Sequence, residues 1–156
     1  MPYYNNGYRD DQLVHVRKTV AFDGTAGNGA VGTVPLFNVT GRVLVGLEYI
    51  FCTEDLTSSG SATLEVDISG STDLLAFGIA YSALDNGLYW LHGGTASAIA
   101  KSDNIWLKNG GGSLASPLPV GGNIVLTIGT ADVTGGTLVF DIWYRPLTAD
   151  GALVAA

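Results

Sequence analysis

Apolar and polar residues alternate one by one along much of this chain. The apolar positions of the five clearest runs are Val14, Val16, Val20 and Phe22; Val43, Val45, Leu47, Tyr49 and Phe51; Ala62, Leu64, Val66 and Ile68; Ile124, Leu126 and Ile128; and Leu138, Phe140, Ile142 and Tyr144. Strict alternation is typical of strands with one buried face and one wet face. We therefore expect a core that includes Val43, Val45, Leu47, Leu64, Val66, Leu126, Phe140 and Ile142.

Segments rich in Gly, Asn and Ser separate these runs. Asn86-Gly87, between Leu84 and Leu88, is typical of a two-residue hairpin turn. No window of ten or more residues combines a helical period with capping residues. The pattern predicts an all-β fold, an antiparallel β-sandwich of the jelly-roll type.

The ends of the chain differ from its middle. Tyr3, Tyr4 and Tyr8 precede the first alternating run, and Pro146 ends the last one. We predict an N-terminal arm over residues 1–10, a sandwich domain over 11–146 and an apolar C-terminal tail over 147–156. Both ends are expected to lie on other molecules, and the candidate interface residues are Tyr3, Tyr4, Tyr8, Trp143, Leu153 and Val154.

Charge is scarce and its balance is acidic. Charged residues make up 13% of the 156 residues, and 7 basic residues stand against 14 acidic ones. Nucleic-acid binding requires clustered Lys and Arg, so neither a nucleic-acid partner nor an anionic membrane is expected. The N-terminal sequence lacks the pattern of a signal peptide. Cys52 is the single cysteine, which excludes an intrachain disulfide and a cysteine-based zinc site.

The segment FDGTAGNGAVGT (22–33) has the glycine content of a phosphate-binding loop. Such a loop also needs a lysine and a following helix, because these supply the positive field. Here Lys101 is the first lysine after Lys18, and another alternating run follows the glycines. The segment is interpreted as a turn in which glycine supplies unusual backbone angles.

The sequence lacks the motifs of a catalytic triad. His15 lies on the polar face of the first run, His92 stands before two glycines, and no G-x-S-x-G motif is present. Both histidines are interpreted as surface residues. We expect no enzymatic activity, no cofactor and no bound metal.

Two further groups of residues carry alternative interpretations. Glu65 and Asp67 share one strand face at a spacing compatible with an inverting glycosidase, although a solvated sheet face is the simpler interpretation. Trp90, Trp106 and Trp143 are able in principle to stack on sugars, while core or interface packing is preferred for them. Cys52 follows Ile50 on its strand face and is interpreted as a small buried apolar residue.

Several phrases of the chain are similar to a known family. The most specific are CTEDL (52–56) and WYRPLTADG (143–151), within a similarity that spans residues 12–156. These phrases resemble small all-β virion-associated proteins of tailed bacteriophages. The resemblance implies no active-site residues to carry over.

What the resemblance implies is a structural role in a virion. The expected function is capsid decoration, in which the protein binds and stabilises the assembled head. The implied partners are the major capsid protein and further copies of the chain, as a homotrimer, on the capsid surface after synthesis in the host cytoplasm. A tail or fibre component that binds host glycans is the alternative, and a small carbohydrate-active enzyme using Glu65 or Asp67 is a third possibility.

Overall fold

A computed structural model describes residues 13–71, 74–91, 99–100 and 118–156 of the chain. Within these ranges the regular structure consists of eleven strands and one turn of 3-10 helix, Tyr81–Ala83. The strands are β1 (Val14–Ala21), β2 (Gly32–Thr40), β3 (Val43–Ser58), β4 (Thr63–Ile68), β5 (Leu74–Ala80), β6 (Leu88–Leu91), β7 (Ile99–Ala100), β8 (Leu118–Val120), β9 (Ile124–Gly129), β10 (Val133–Pro146) and β11 (Ala152–Ala155).

Two antiparallel sheets pack against each other. The first sheet has the order β1-β10-β3-β6-β7, with β8 paired to the start of β3, and the second has the order β11-β2-β9-β4-β5. The sets β1-β10-β3-β6 and β2-β9-β4-β5 together have the strand order of a jelly roll. The predicted fold class is therefore confirmed.

One apolar core lies between the sheets. The predicted core residues with described side chains are all fully buried: Val43, Val45, Leu64, Val66, Leu126, Phe140 and Ile142. Nothing is described of the Leu47 side chain. The largest of the fully buried side chains are those of Trp90, Phe37 and Phe140. A fully buried Val, Leu, Ile, Phe or Met side chain stabilises the folded state by about 1.5–3 kcal/mol relative to the same side chain in water.

In the second half of β3, each side chain points to the side of the sheet opposite to the one predicted. Trp143 pairs with Leu47 and Tyr144 with Val45, so Gly46 is an extra residue that forms a bulge. Because side chains in a strand alternate, one extra residue exchanges the two faces beyond it. The prediction that Tyr49 and Phe51 face the core is therefore wrong.

The residues that replace them in the core come from the other face of this run. Ile50 and Cys52 are fully buried, which confirms the interpretation of Cys52. Glu48 is also fully buried and lies across from Ile142 of β10. A strand interrupted by glycine often contains a bulge, so Gly46 was the available indication in the sequence.

The C-terminal residues belong to the sandwich, which corrects the predicted boundary at residue 146 and the predicted tail. Residues 152–155 form β11, which pairs with β2 at the margin of the second sheet. Leu147 N–H donates to the Arg42 carbonyl, and the Thr148 hydroxyl accepts from Arg42 N–H, so the chain turns back there. Lys18, the polar exception on the inner face of β1, donates to the backbone oxygen of Ala156.

The predicted hairpin at Asn86-Gly87 is also wrong. The strand before this turn, β5, pairs with β4 of the second sheet, whereas β6 after it pairs with β3 of the first. Gly87 has a φ of 87°, as a tight turn requires. The turn therefore carries the chain from one sheet to the other.

The glycine-rich segment likewise connects the sheets, from β1 to β2. Gly29 has a φ of 125°, and a Cβ atom at this position would lie 2.2 Å from the carbonyl oxygen of Val133. Asp23 accepts hydrogen bonds from the N–H and hydroxyl of Thr25, and these bonds lower the pKa of its carboxyl. The segment is an ordered turn held by its own side chains.

Candidate interaction surface

A row of ring-bearing side chains crosses the outer side of the first sheet. It comprises His15 of β1, Trp143 of β10, Tyr49 and Phe51 of β3, and Tyr89 of β6, and this surface is termed the aromatic face. The imidazole of His15 stacks on the indole of Trp143 with centroids 4.4 Å apart. The ring centroid of Tyr49 lies 5.6 Å from that of Trp143 and 6.4 Å from that of Tyr89. The ring centroids of Tyr89 and Phe51 are 4.7 Å apart. The rings therefore form a continuous array across four strands, in which His15 is exposed and the other four rings are partly buried.

A buried carboxylate fixes the β1 end of this row. Asp141, 7% exposed, accepts hydrogen bonds from Nε2 of His15 at 2.6 Å and from Nε of Arg17 at 2.7 Å. Its second oxygen accepts from Nη2 of Arg17 at 3.0 Å. This fork geometry and the negative charge of Asp141 raise the pKa of the Arg17 guanidinium. His15 is thus held flat against Trp143 by its bond to Asp141.

Few charged side chains lie around the row. On β1, β10 and the part of β3 up to Glu54, the charged side chains that point outward are Arg17, Arg145, Glu54 and Asp141, two of each sign. Glu54 accepts a hydrogen bond from the Thr137 hydroxyl at 2.6 Å. With Asp55, the next residue of β3, which is also exposed, these charges sum to −1.

The outer side of the second sheet is chemically different. Thr33, Thr127 and Glu65 lie side by side on β2, β9 and β4, and Thr63 and Asp67 flank Glu65; this surface is termed the threonine face. The five strands of the second sheet contain no Lys, Arg or His. Glu65 and Asp67 are their two charged residues, so the net charge of this face is −2.

The carboxylates on the threonine face influence each other. Burial raises the pKa of Glu65, and the neighbouring negative charge of Asp67 raises it further. The described residues contain no group of three or more His, Cys, Asp or Glu side chains arranged to hold a metal ion. The arrangement provides a weakly acidic carboxyl on a sheet surface, as the solvated-face interpretation expects.

The predicted interface residues have different positions in the structure. Trp143 lies at the centre of the aromatic face and Val154 is 55% exposed on β11. Leu153 is buried in the chain's own core, which corrects its assignment as an interface residue. Tyr3, Tyr4 and Tyr8 lie outside the described residues, as do His92 and Trp106. Trp90 belongs to the core, as preferred for it.

The phrase CTEDL has structural roles. The Cys52 thiol donates to the Glu54 carbonyl at 3.1 Å, and burial raises the pKa of this thiol to about 11. Asp55 accepts from the Asn86 N–H at 2.7 Å, and Leu56 is buried. The phrase anchors the turn that joins β5 to β6.

The phrase WYRPLTADG contributes both to the aromatic face and to the structure of the sandwich. Trp143 belongs to the aromatic face and Tyr144 to the core, while Thr148 fixes the turn before β11. Gly151 N–H donates to the Thr148 carbonyl at 2.9 Å within that turn. One residue of this phrase therefore contributes to a surface, and the described contacts of the others are structural.

Comparisons of the chain with protein-family models, with curated proteins and with solved structures find no match. In the described part of the chain, no helix has the length and hydropathy needed to span a membrane. A function must therefore be inferred from the surface chemistry and from the resemblance of the two phrases.

Proposed function

We propose that the protein is a virion structural protein of a tailed bacteriophage that decorates the assembled capsid. Its partners are the major capsid protein and further copies of the chain, as a homotrimer, on the capsid surface. It binds no nucleic acid, cofactor or metal and has no catalytic activity. The aromatic face, an ordered row of rings with few charges, is the observation that carries a binding role.

The physical chemistry of this surface supports lasting contact with another protein. Trp and Tyr are enriched at the centre of protein interfaces, since they combine large apolar area with few rotatable bonds. The rings already pack against one another in the single chain, so little side-chain entropy remains to be lost on binding. The jelly-roll fold serves many functions and therefore adds little to the argument.

Glycan binding by a tail or fibre component receives less support from the same geometry. A sugar packs against an open aromatic face, but one side of the Trp143 indole is covered by His15 at 4.4 Å. Tyr49 approaches the same indole at 5.6 Å with its plane turned by 77°. Contacts with neighbouring rings on the sheet therefore suit a protein partner better than a stacked sugar.

Localisation in virions tests the proposal. Labelled recombinant protein is added to particles that lack it, and its position is determined by cryo-electron microscopy. Density on the capsid at three-fold or quasi-three-fold positions is expected. Label confined to tails would overturn the decoration role and restore the tail component as the better assignment.

Two biochemical tests address the remaining parts of the proposal. Deleting residues 1–10 is expected to leave a folded sandwich that binds capsids poorly, because the tyrosines of that segment are proposed to anchor the protein. Assays against glycans and peptidoglycan are expected to show no turnover. Cleavage that disappears in Glu65→Gln or Asp67→Asn would contradict the absence of catalysis.

A further inference from the structure

We infer that Asn86 is a site of spontaneous deamidation and that its contacts with β3 control the rate of the reaction. The backbone nitrogen of Gly87 attacks the side-chain carbonyl carbon of Asn86, and a succinimide ring forms. The bond from that carbon to the side-chain nitrogen breaks, and ammonia leaves with the proton of the Gly87 nitrogen. Water then opens the ring to aspartate or isoaspartate, so no other reactant is needed. The inference goes beyond the proposed function and does not depend on it.

The turn at Asn86 and Gly87 leaves room for this ring. Asn86 is exposed, and a Cβ atom added to Gly87 would meet no atom within 4 Å. Within the described residues, the side-chain amide of Asn86 makes no hydrogen bond, so it is free to rotate towards the main chain. The attacking nitrogen and the carbon that it must reach therefore lie in neighbouring groups with open space around them.

Two hydrogen bonds to β3 slow the reaction without preventing it. Gly87 N–H donates to the Cys52 carbonyl at 2.8 Å, and Asn86 N–H donates to Oδ1 of Asp55 at 2.7 Å. The Gly87 nitrogen must leave the Cys52 carbonyl before it can approach the Asn86 side chain. The net contribution of one hydrogen bond corresponds to a factor of about 2–10 in an equilibrium, so each bond is expected to slow the reaction by about that factor.

The other Asn-Gly pair among the described residues, Asn28-Gly29, is held much more firmly. The side-chain amide of Asn28 donates to the Ala21 carbonyl at 2.9 Å, and its main-chain N–H donates to the Thr25 carbonyl at 2.9 Å. The Gly29 carbonyl accepts from Val133 N–H at 2.7 Å. Gly29 is buried, and a Cβ atom there would lie 2.2 Å from the Val133 carbonyl oxygen. A succinimide ring therefore has no room at this pair unless several hydrogen bonds break first.

The product changes both the charge and the main chain where the chain crosses between the sheets. A carboxylate in place of the Asn86 amide lies beside Asp55 and Asp85 and adds a further negative charge. Isoaspartate also lengthens the main chain by one carbon atom, so Gly87 N–H no longer fits the Cys52 carbonyl. The reaction therefore weakens the attachment of the β5–β6 turn to the first sheet.

Peptide mapping of the full-length chain by mass spectrometry tests the inference. The folded protein is incubated at mildly alkaline pH, and aspartate plus isoaspartate are quantified over time at Asn86 and at Asn28. Asn86 is expected to react at least about tenfold faster, because the release of one or two further hydrogen bonds slows a reaction by about that factor. In concentrated urea the two sites should react at similar rates, because the contacts that distinguish them are lost.

Two variants that remove the same charge test the control by β3. Asp55→Ala removes the acceptor of the Asn86 N–H and is expected to accelerate the reaction at Asn86 by about 2–10-fold. Asp85→Ala, at the neighbouring exposed carboxylate, is the matched control and is expected to leave the rate nearly unchanged. Any of three results would overturn the inference. In the folded protein Asn28 would react as fast as Asn86, or Asn86 would stay intact although it reacts in urea, or Asp55→Ala would react no faster than Asp85→Ala.

Discussion

The two sheets of this sandwich are alike inside and unlike outside. Their inner faces share one core of Val, Leu, Ile and Phe side chains. On the outside, the first sheet presents stacked rings, while the second presents threonines with Glu65 and Asp67. The core specifies the fold, whereas the outer faces are the surfaces that a binding partner can contact.

The difference originates in one residue of β3. Without the bulge at Gly46, strict alternation from Val43 and Val45 would turn Tyr49 and Phe51 inward and Glu48 outward. With the bulge, the two rings join Trp143 and Tyr89 on the outer side of the first sheet. The aromatic face therefore depends on the register of β3 as much as on the identity of its residues.

Deletion of Gly46 is the most damaging way to test this dependence. The deletion would drive Tyr49 and Phe51 into a filled core and expose Ile50 and Cys52. We expect a cost of more than about 4 kcal/mol, enough to abolish cooperative unfolding of the chain. Urea denaturation followed by tryptophan fluorescence measures it, and Gly46→Ala is the control that keeps the register. A deletion variant of nearly wild-type stability would refute the bulge.

Core truncations should affect the two sheets equally. Leu64 of the second sheet and Phe140 of the first are both fully buried. Leu64→Ala and Phe140→Ala are each expected to lower the free energy of unfolding by about 2–5 kcal/mol, because the lost apolar contacts leave a cavity. Chemical denaturation provides the measurement, with the exposed Thr33→Ala as control. A cost below about 1 kcal/mol at either site would contradict the shared core.

The sequence predicted the sandwich because alternation survives wherever a strand is regular. Val43, Val45, Leu64 and Leu126 were assigned correctly for that reason. The same rule failed beyond Gly46, because one inserted residue reverses the faces and alternation cannot show where the insertion lies. The outer row was missed as a consequence, although Trp143 had been selected as an interface residue.

The remaining errors concern which strand pairs with which. Asn86-Gly87 specifies a tight turn, but whether β6 then pairs with β5 or crosses to β3 depends on contacts distant in sequence. Residues 152–155 carry a short apolar pattern, and their pairing with β2 depends on the open edge of that strand. The local sequence therefore specifies neither the pairing of β6 with β3 nor the pairing of β11 with β2.

Alkaline pH should destabilise the protein because it ionises the Cys52 thiol, which is buried under the first sheet. Burial raises the pKa of Cys52 from 9.0 to about 11, so the neutral thiol is the form that suits the folded state. The stabilisation is fully present below pH 9 and is lost as pH rises through about 11, by roughly 2–3 kcal/mol. Denaturation at a series of pH values measures this loss. Cys52→Ala should show a shallower decline over the same range, and identical pH profiles would exclude the thiol as its source.

The strength of the contact between His15 and Trp143 indicates whether the aromatic face is ordered in the single chain. Stacked rings contribute about 0.5–1.5 kcal/mol beyond the area they bury. A double-mutant cycle with His15→Ala and Trp143→Ala is expected to give a coupling free energy in that range. Thr33 and Thr127 on the other sheet form the control pair, for which we expect a smaller coupling, towards the lower end of the range of about 0.2–1 kcal/mol for cross-strand pairs. Equal coupling at the two sites would show that the stacked rings add nothing beyond an ordinary cross-strand pair.

The smallest effect is expected on the threonine face, where ionisation of Glu65 opposes folding. Because burial and Asp67 raise the pKa of Glu65, its contribution to stability is present at acidic pH and is lost as pH rises through the folded-state pKa. Glu65→Gln removes that loss and is expected to stabilise the protein at pH 7 by at most about 0.5 kcal/mol, since water screens the charge. Urea denaturation at pH 7 and at pH 3 measures the change, which should vanish at the lower pH where the carboxyl is protonated in both states. A destabilising effect of Glu65→Gln at pH 7 would show that the Glu65 carboxylate has a favourable partner on this face.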